Sequence, residues 1–254
     1  MSQDISKTRS GNDAVPMYNR VVLNIPHASP VLPFGTGGWD EGIRGEIDRW
    51  TDWYTDWLFA SASRLDPRIV PVVYPFSRFF CDVERLENDP LESVGQGIVY
   101  ERFGALRRMV PAGKRTFAMQ TYREHHDRLR KAITGDRTLL VDCHSFLSDL
   151  SDVEVCIGVN DDWSRPDEAV LESVLDHFRK EGYRTEINIP YSNSVSPECG
   201  VRYASLMIEL NKGLYMDADG ILLESRASRL RAVLEDCFRA MLGNETEKVA
   251  MYGR

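Results

Sequence analysis

Three apolar, β-rich runs in this chain each end in a polar residue, and that arrangement constrains the fold more than any other feature. Val21-Val22-Leu23-Asn24-Ile25-Pro26 leads to His27, Leu139-Leu140-Val141-Asp142-Cys143 leads to His144 and Ser145, and Ala204-Ser205-Leu206-Met207-Ile208 leads to Glu209. Runs of this length, bounded by turn signals, read as buried strands of an α/β sheet. Open α/β sheets bind ligands at the carboxyl ends of their strands, so a His, a His and a Glu at three such ends gather at one place. Two imidazoles and carboxylates are what a catalytic zinc site needs.

The remaining segments alternate helix and strand. Strands are expected near 20–25, 69–74, 138–143, 153–159, 183–187 and 203–210. Helices are expected over 41–64, 118–133, 166–181 and 220–242, the third opened by Pro166 at a favoured first position and the last carrying a stripe of Leu223, Leu230, Leu234, Cys237 and Met241. The pattern predicts a three-layer α/β/α sandwich around a central mixed, mainly parallel sheet. Residues 19–254 are expected to form one domain, after a polar leader over 1–18. A long polar stretch, 76–113, has little periodicity; loops of this length are functional or disordered, and 86–113 is a candidate lid.

Composition narrows the function classes. The chain has 254 residues and a net charge of −8, which argues for solubility and against a general nucleic-acid role. No apolar stretch has the length of a membrane span, and the N-terminus lacks a signal-peptide core. The five cysteines have irregular spacing and no CxxC, so reduced thiols in a cytoplasmic protein are expected.

Strand alternation sends Asp142 and His144 to the same side; one could ligate a metal while the other orients it, or the pair could form a buried Asp–His hydrogen bond that only holds the loop. Ser145 has no GxSxG elbow around it, which argues against a serine nucleophile. Glu209 is a carboxylate inside an apolar strand, costly unless paired; it suits a general base or a salt bridge to arginine. Asp52 and Asp56 share a helix face opposite Ile43, Ile47, Trp50, Tyr54 and Trp57. A continuous helix therefore turns them to water, whereas a new helix starting at Thr51 would point Asp52 at the sheet edge. Arg78 and Arg85, within Ser77–Arg85, could hold substrate carboxylates by bidentate pairing or belong to a structural ion-pair network. His125 and His126 are adjacent on a helix and point apart, so at most one faces a site. His177 reads as structural.

Eight motifs, in order, are similar to the N-formylglutamate amidohydrolase family: NIPHAS, TDWYTDWLF, SRFFCDVERLENDPLESVGQGIVY, YREHH, DCHSF, VCIG, PYSNSVSP and MIELNKGLYMD. The resemblance spans residues 21 to 217. It implies a fold similar to zinc carboxypeptidases and a metal-dependent hydrolysis of N-formyl-L-glutamate to formate and glutamate, in histidine degradation. It implies His27 and His144 as ligands of one divalent metal ion, zinc by expectation, with Asp52 chosen as the carboxylate ligand ahead of Asp56 and Glu84. It further implies Glu209 as the base and His126 as a group polarising the scissile carbonyl. Arg78 and Arg85, with Ser145, are expected to bind a small acidic N-acyl amino acid. Two regions depart from the family pattern. Asp82-Val83-Glu84-Arg85 stands where Asp-Leu-Asn-Arg is frequent, and Tyr191-Ser192-Asn193-Ser194 stands where a glycine-rich turn is frequent. The amidohydrolase chemistry is thus a firmer implication than the formylglutamate specificity. The two-His-one-carboxylate set also suits Fe(II) in an oxygenase, and a binding protein that kept the fold but lost activity is a third reading. The chain is expected to be a monomer or small homo-oligomer.

Overall fold

The computed structural model describes residues 18–35, 37–192 and 195–242; of the expected leader only Tyr18 falls within them. Six strands form one sheet: β1 (Arg20–Ile25), β2 (Ile69–Val73), β5 (Thr138–Phe146), β6 (Val155–Gly158), β7 (Thr185–Ile187) and β8 (Ala204–Asn211). Their order is β2-β1-β5-β8-β6-β7. Every neighbouring pair is parallel except β6 with β8. The helices are α1 (Ile43–Trp50), α2 (Thr55–Ala60), α3 (Ala112–Ala132), α4 (Glu168–Lys180) and α5 (Glu224–Met241), and a short hairpin, β3 (Arg102–Phe103) with β4 (Leu106–Arg107), lies apart from the sheet.

The two-residue period of the strands divides the core. Val21, Leu23, Val141, Cys143, Leu206 and Ile208 pack in one cluster with Leu58 and Phe59 of α2, Val174 and Phe178 of α4, and Leu234 and Phe238 of α5. Val22, Val72 and Leu140 pack in another with Leu129 and Ile133, at the end of α3. Helices therefore cover both faces of a mixed, mainly parallel sheet, the three-layer arrangement expected. Burying each large apolar side chain contributes about 1.5–3 kcal/mol, enough that the alternation sets the register. β5 and β8 pair so that His144 stands beside Glu209, and β1 and β5 so that Asn24 stands beside Asp142.

The helix expected over 41–64 is broken. α1 ends at Thr51, which is extended (φ −71°, ψ 134°), and α2 begins after Tyr54, which is left-handed (φ 65°). The break is held by hydrogen bonds that a helical pattern does not reveal. The Asp52 N–H donates to the His27 carbonyl at 3.0 Å, and Thr55 Oγ1 donates to the Asp52 carbonyl at 2.7 Å. Buried Lys212 Nζ donates to the carbonyls of Arg49 and Thr51 at 2.9 and 2.7 Å. As a result Asp52 is buried while Asp56 and Asp48 stay exposed. Lys212→Met would leave two carbonyls without their charged donor and is expected to cost about 2 kcal/mol of unfolding free energy. A urea titration reads this as a lower midpoint.

The stretch 76–113 carries the hairpin and a 3₁₀ turn, Pro90–Val94. It is anchored by aromatic residues rather than by periodic elements. Phe79 packs among Trp39, Ile43 and Tyr100, and Phe80 and Val83 pack against Ala118 and Tyr122 of α3. All five cysteines are free thiols. Among the described residues no helix is long and apolar enough to cross a membrane.

Candidate active site

Even-numbered residues of β1 and β5 and odd-numbered residues of β8 leave the α2–α4–α5 core and face the other way. Asn24, Asp142, His144 and Glu209 are therefore collected on one side of the sheet, at the carboxyl ends of neighbouring strands. His27, just beyond β1, joins them; its ring centroid is 5.1 Å from that of His144. Segment 77–85, after β2, supplies Arg78, Asp82, Glu84 and Arg85, and the break between α1 and α2 supplies Asp52.

Each histidine is held on one nitrogen by a carboxylate. The His27 Nε2–H donates to Asp82 Oδ1 at 2.8 Å, and Asp82 is itself gripped by the Tyr100 hydroxyl at 2.6 Å and the Glu84 N–H at 3.1 Å. This tautomer leaves the Nδ1 lone pair of His27 free to face the site, where an Arg78 Nη2–H meets it. His144 Nδ1 lies 3.0 Å from Asp52 Oδ2, and its Nε2 lies 2.8 Å from Glu84 Oε1. Glu84 Oε2 is 3.4 Å from His27 Nδ1. Ligand atoms of His27, Glu84 and His144 lie within 4.8 Å of one another. Histidine ligands are commonly oriented by a carboxylate on the far ring nitrogen, and here Asp82 and Asp52 occupy those far sides. The donor set fits a divalent cation: two imidazoles and a carboxylate converge, within a desolvated group whose carboxylates outnumber its arginines.

The electrostatics follow from burial. Desolvation and the neighbouring Arg78 push His27 down to about 4, despite Asp82. Burial alone would lower His144 as well, but Glu84, Asp142 and Asp52 hold it well above the usual imidazole range. Its Nδ1 faces Asp52 and its Nε2 faces Glu84, and a cation held at Nε2 requires that nitrogen to be deprotonated. His27, Arg78 and Arg85 hold Asp82 far below the carboxylate range in spite of its burial. Burial lifts Glu84 to about 8 and Glu209 to about 7. Glu209 is 8% exposed, and its Oε2 has no hydrogen-bond partner.

The groups border an open cleft of about 1070 Å³, lined on its inner side by Arg78, Glu84, Asp142, His144 and Glu209. The structure thus brings together His27, Asp52, His144, Glu209, Arg78 and Arg85 of the expected residues. Two others lie elsewhere. Ser145 alternates to the far face of β5, buried with a hydroxyl that has no partner, because the side chain one residue on from His144 must point the opposite way. His126 is held by the Val83 carbonyl at 2.9 Å and by the Tyr122 ring, so it supports the backbone of segment 82–85 and does not line the cleft. Asp52 is present, but as the partner of His144 Nδ1 and 3.9 Å from His27 Nδ1, while Glu84 stands between the two imidazoles. His177 ties α4 to the Val233 carbonyl of α5.

Sequence reasoning passed over Asn24, Asp82, Tyr100 and Lys212. Asn24 carried a signal, a polar residue inside an apolar strand, the same that marked Glu209. It receives the His125 Nε2–H at 2.8 Å and donates to Asp142 Oδ1 at 2.6 Å, and Asp142 Oδ2 accepts the Val195 N–H at 2.8 Å. The chain of bonds connects α3 to the loop after β7. Burial lowers His125 from 6.5 to about 3. Below about 6.5 the unfolded chain takes a proton that the folded protein refuses, so this group's contribution is complete above that pH. It declines as pH falls, by up to about 1.4 kcal/mol per unit. His125→Gln keeps an N–H donor and removes the titration. Its unfolding free energy is expected to fall less steeply than the parent's between about pH 6 and pH 4, measured by urea titrations across that range.

The fold and this constellation define an α/β protein with a buried, unpartnered carboxylate beside a His–carboxylate centre at the strand ends. The chain belongs to the N-formylglutamate amidohydrolase family, whose sequence model matches residues 19–216. Among solved structures, it is similar to an N-formylglutamate amidohydrolase from Ralstonia eutropha JMP134, at 20% identity and a TM-score of 0.71, over 91% of this chain and 94% of that one. A gene product of Agrobacterium tumefaciens is 18% identical with a TM-score of 0.65, over 92% and 93% of the two chains. No curated protein matches the chain. The family is one of amidohydrolases, and the likeness to these structures extends over nearly the whole fold.

Proposed function

We propose that this protein hydrolyses the amide of a small N-acyl amino acid and depends on one divalent metal ion, zinc by preference. N-formyl-L-glutamate, cleaved to formate and L-glutamate, is the reference substrate because the family carries its name. The observation that carries the reading is the convergence of His27 Nδ1, His144 Nε2 and Glu84, with an unpartnered Glu209 beside them. His27, His144 and Glu84 would hold the ion, and Asp82 and Asp52 orient the imidazoles. A zinc ion there supplies Lewis acidity and makes an adjacent water easier to deprotonate.

The protein's own groups perform the proton transfers. Ionised Glu209 takes a proton from the attacking water as the new C–O bond forms at the amide carbon. It returns that proton to the nitrogen as the C–N bond breaks, so one carboxylate serves as base and then as acid. Its value of about 7 suits both steps at neutral pH. Arg78, whose Nε–H is buried without a partner, is the donor for a substrate carboxylate. The test is release of formate and free amine from N-formyl-L-glutamate by zinc-loaded protein. Turnover that a chelator abolishes and added zinc restores is expected. Turnover that is indifferent to the chelator would remove the metal from the reading.

A further inference from the structure

Attack on an amide places negative charge on the carbonyl oxygen, and a hydrogen-bond donor already aimed at that oxygen accelerates the step. His126, the side chain expected in this role, is held by the Val83 carbonyl and does not line the cleft. Several donors that do line it are engaged. The Tyr100 hydroxyl goes to Asp82 at 2.6 Å, the Trp50 Nε1–H to Glu46 at 3.0 Å and the Ser196 hydroxyl to Ser205 at 2.9 Å. Arg78 and Arg85 each keep a buried Nε–H without a partner, which suits them to forked recognition of substrate carboxylates.

Tyr191 stands apart from these. It lines the same cleft as Arg78, His144 and Glu209, and its hydroxyl has no hydrogen-bond partner among the described residues. Two contacts fix its place. Cys156 lies directly opposite Glu209 in the β6–β8 pair, and its thiol donates to the Tyr191 carbonyl at 3.1 Å. The Tyr191 ring meets that of Phe146 edge to face, with centroids 6.4 Å apart, and Phe146 follows His144 by two residues on the same side of β5. Tyr191 is thus tied to both strand ends that carry the reacting groups. Burial raises its hydroxyl above the ordinary phenol range, with Glu209 and Asp52 adding to the effect and Arg78 opposing it. The hydroxyl therefore keeps its proton at neutral pH and is available as a donor.

We propose that Tyr191 is a catalytic residue whose hydroxyl donates a hydrogen bond to the oxygen of the scissile carbonyl. As the water oxygen bonds to the amide carbon, the carbonyl π pair moves onto that oxygen, and the bond from Tyr191 strengthens without transfer of its proton. The pair returns as the C–N bond breaks, and the departing nitrogen takes its proton from Glu209. The inference rests on the amidohydrolase reading above and adds to it the side chain that meets the developing charge.

Tyr191→Phe removes the hydroxyl but keeps the ring against Phe146 and the carbonyl held by Cys156. With zinc-loaded protein and N-formyl-L-glutamate, kcat is expected to fall about 10²–10³-fold, the loss typical of one oxyanion donor, while KM and the unfolding midpoint change little. Binding separates this role from a structural one. A phosphonamidate analogue of N-formyl-L-glutamate, tetrahedral and anionic at the reacting centre, should bind the variant more weakly by about the factor lost in kcat, whereas L-glutamate should inhibit both proteins equally. Parental kcat in the variant would overturn the proposal, as would a loss confined to KM or one that weakens phosphonamidate and glutamate alike. In each of those cases the parent still releases formate, so the amidohydrolase reading stands. A parent that releases none with zinc bound removes that reading and this proposal together.

Discussion

Glu209→Gln is expected to lower turnover by about 10²–10⁴-fold, the range of a positioned general base, while metal content and unfolding midpoint stay close to those of the parent. The substitution conserves shape but removes the carboxylate that, in the proposed function, accepts and returns the proton. Glu209 is burdened by burial, with Asp52 and Asp142 adding repulsion and His144 and Arg78 opposing it, so the neutral amide fits at least as well as the carboxylate in structural terms. The parent's rate should also fall on the acid side of about pH 7, as Glu209 becomes protonated, and the variant should lack that limb. Turnover near the parental rate in the Gln variant, with metal bound, would sink the assignment.

The second large effect separates Glu84 from Asp52. If Glu84 stands with His27 and His144 as a ligand, Glu84→Ala removes one of the donors that share a binding free energy of about 10–16 kcal/mol, so zinc affinity should fall several hundredfold. Asp52→Asn keeps a hydrogen-bond acceptor for His144 Nδ1 and changes only the orienting charge, for which about tenfold to a hundredfold is expected. Competition with a chromophoric chelator measures both. A loss confined to Asp52→Asn would reverse the two roles and make Asp52 the ligand. The geometry favours Glu84, whose oxygens lie 2.8 Å and 3.4 Å from the site-facing nitrogens of the two histidines.

The strands were legible because their physics is local. Each of the three apolar runs is long enough to be buried and ends where a polar residue must find company, so His27, His144 and Glu209 could be placed together before any contact was known. Alternation along Leu139–Ser145 also fixed that Asp142 and His144 share a side. The same rule separates Ser145 from them, and the structure shows that consequence. The family resemblance covered nearly the same span, residues 21 to 217, as the family match to residues 19–216.

Asp52 illustrates what a local pattern misses. On a continuous helix its place opposite Ile43, Ile47 and Trp50 sends it to water. The helix stops at Thr51 because Lys212, distant in sequence, takes the carbonyls of Arg49 and Thr51, and because the His27 carbonyl accepts the Asp52 N–H. Segment 76–113 was opaque for a related reason. It has no period to read, and its order comes from Phe79, Phe80 and Val83 packing on residues of α1 and α3 that only the folded chain brings near.

The sequence by itself therefore determined the layers of this protein, the strand ends that carry its polar groups and the family to which it belongs, since apolar period and local motif act over neighbouring residues. The tertiary structure alone decided which nitrogen of each histidine is free, which carboxylate faces it and what lines the cleft. Those outcomes depend on groups far apart in the chain, such as Asp82 against His27 and Asp52 against His144, whose hydrogen bonds exist only once burial has removed the competing water.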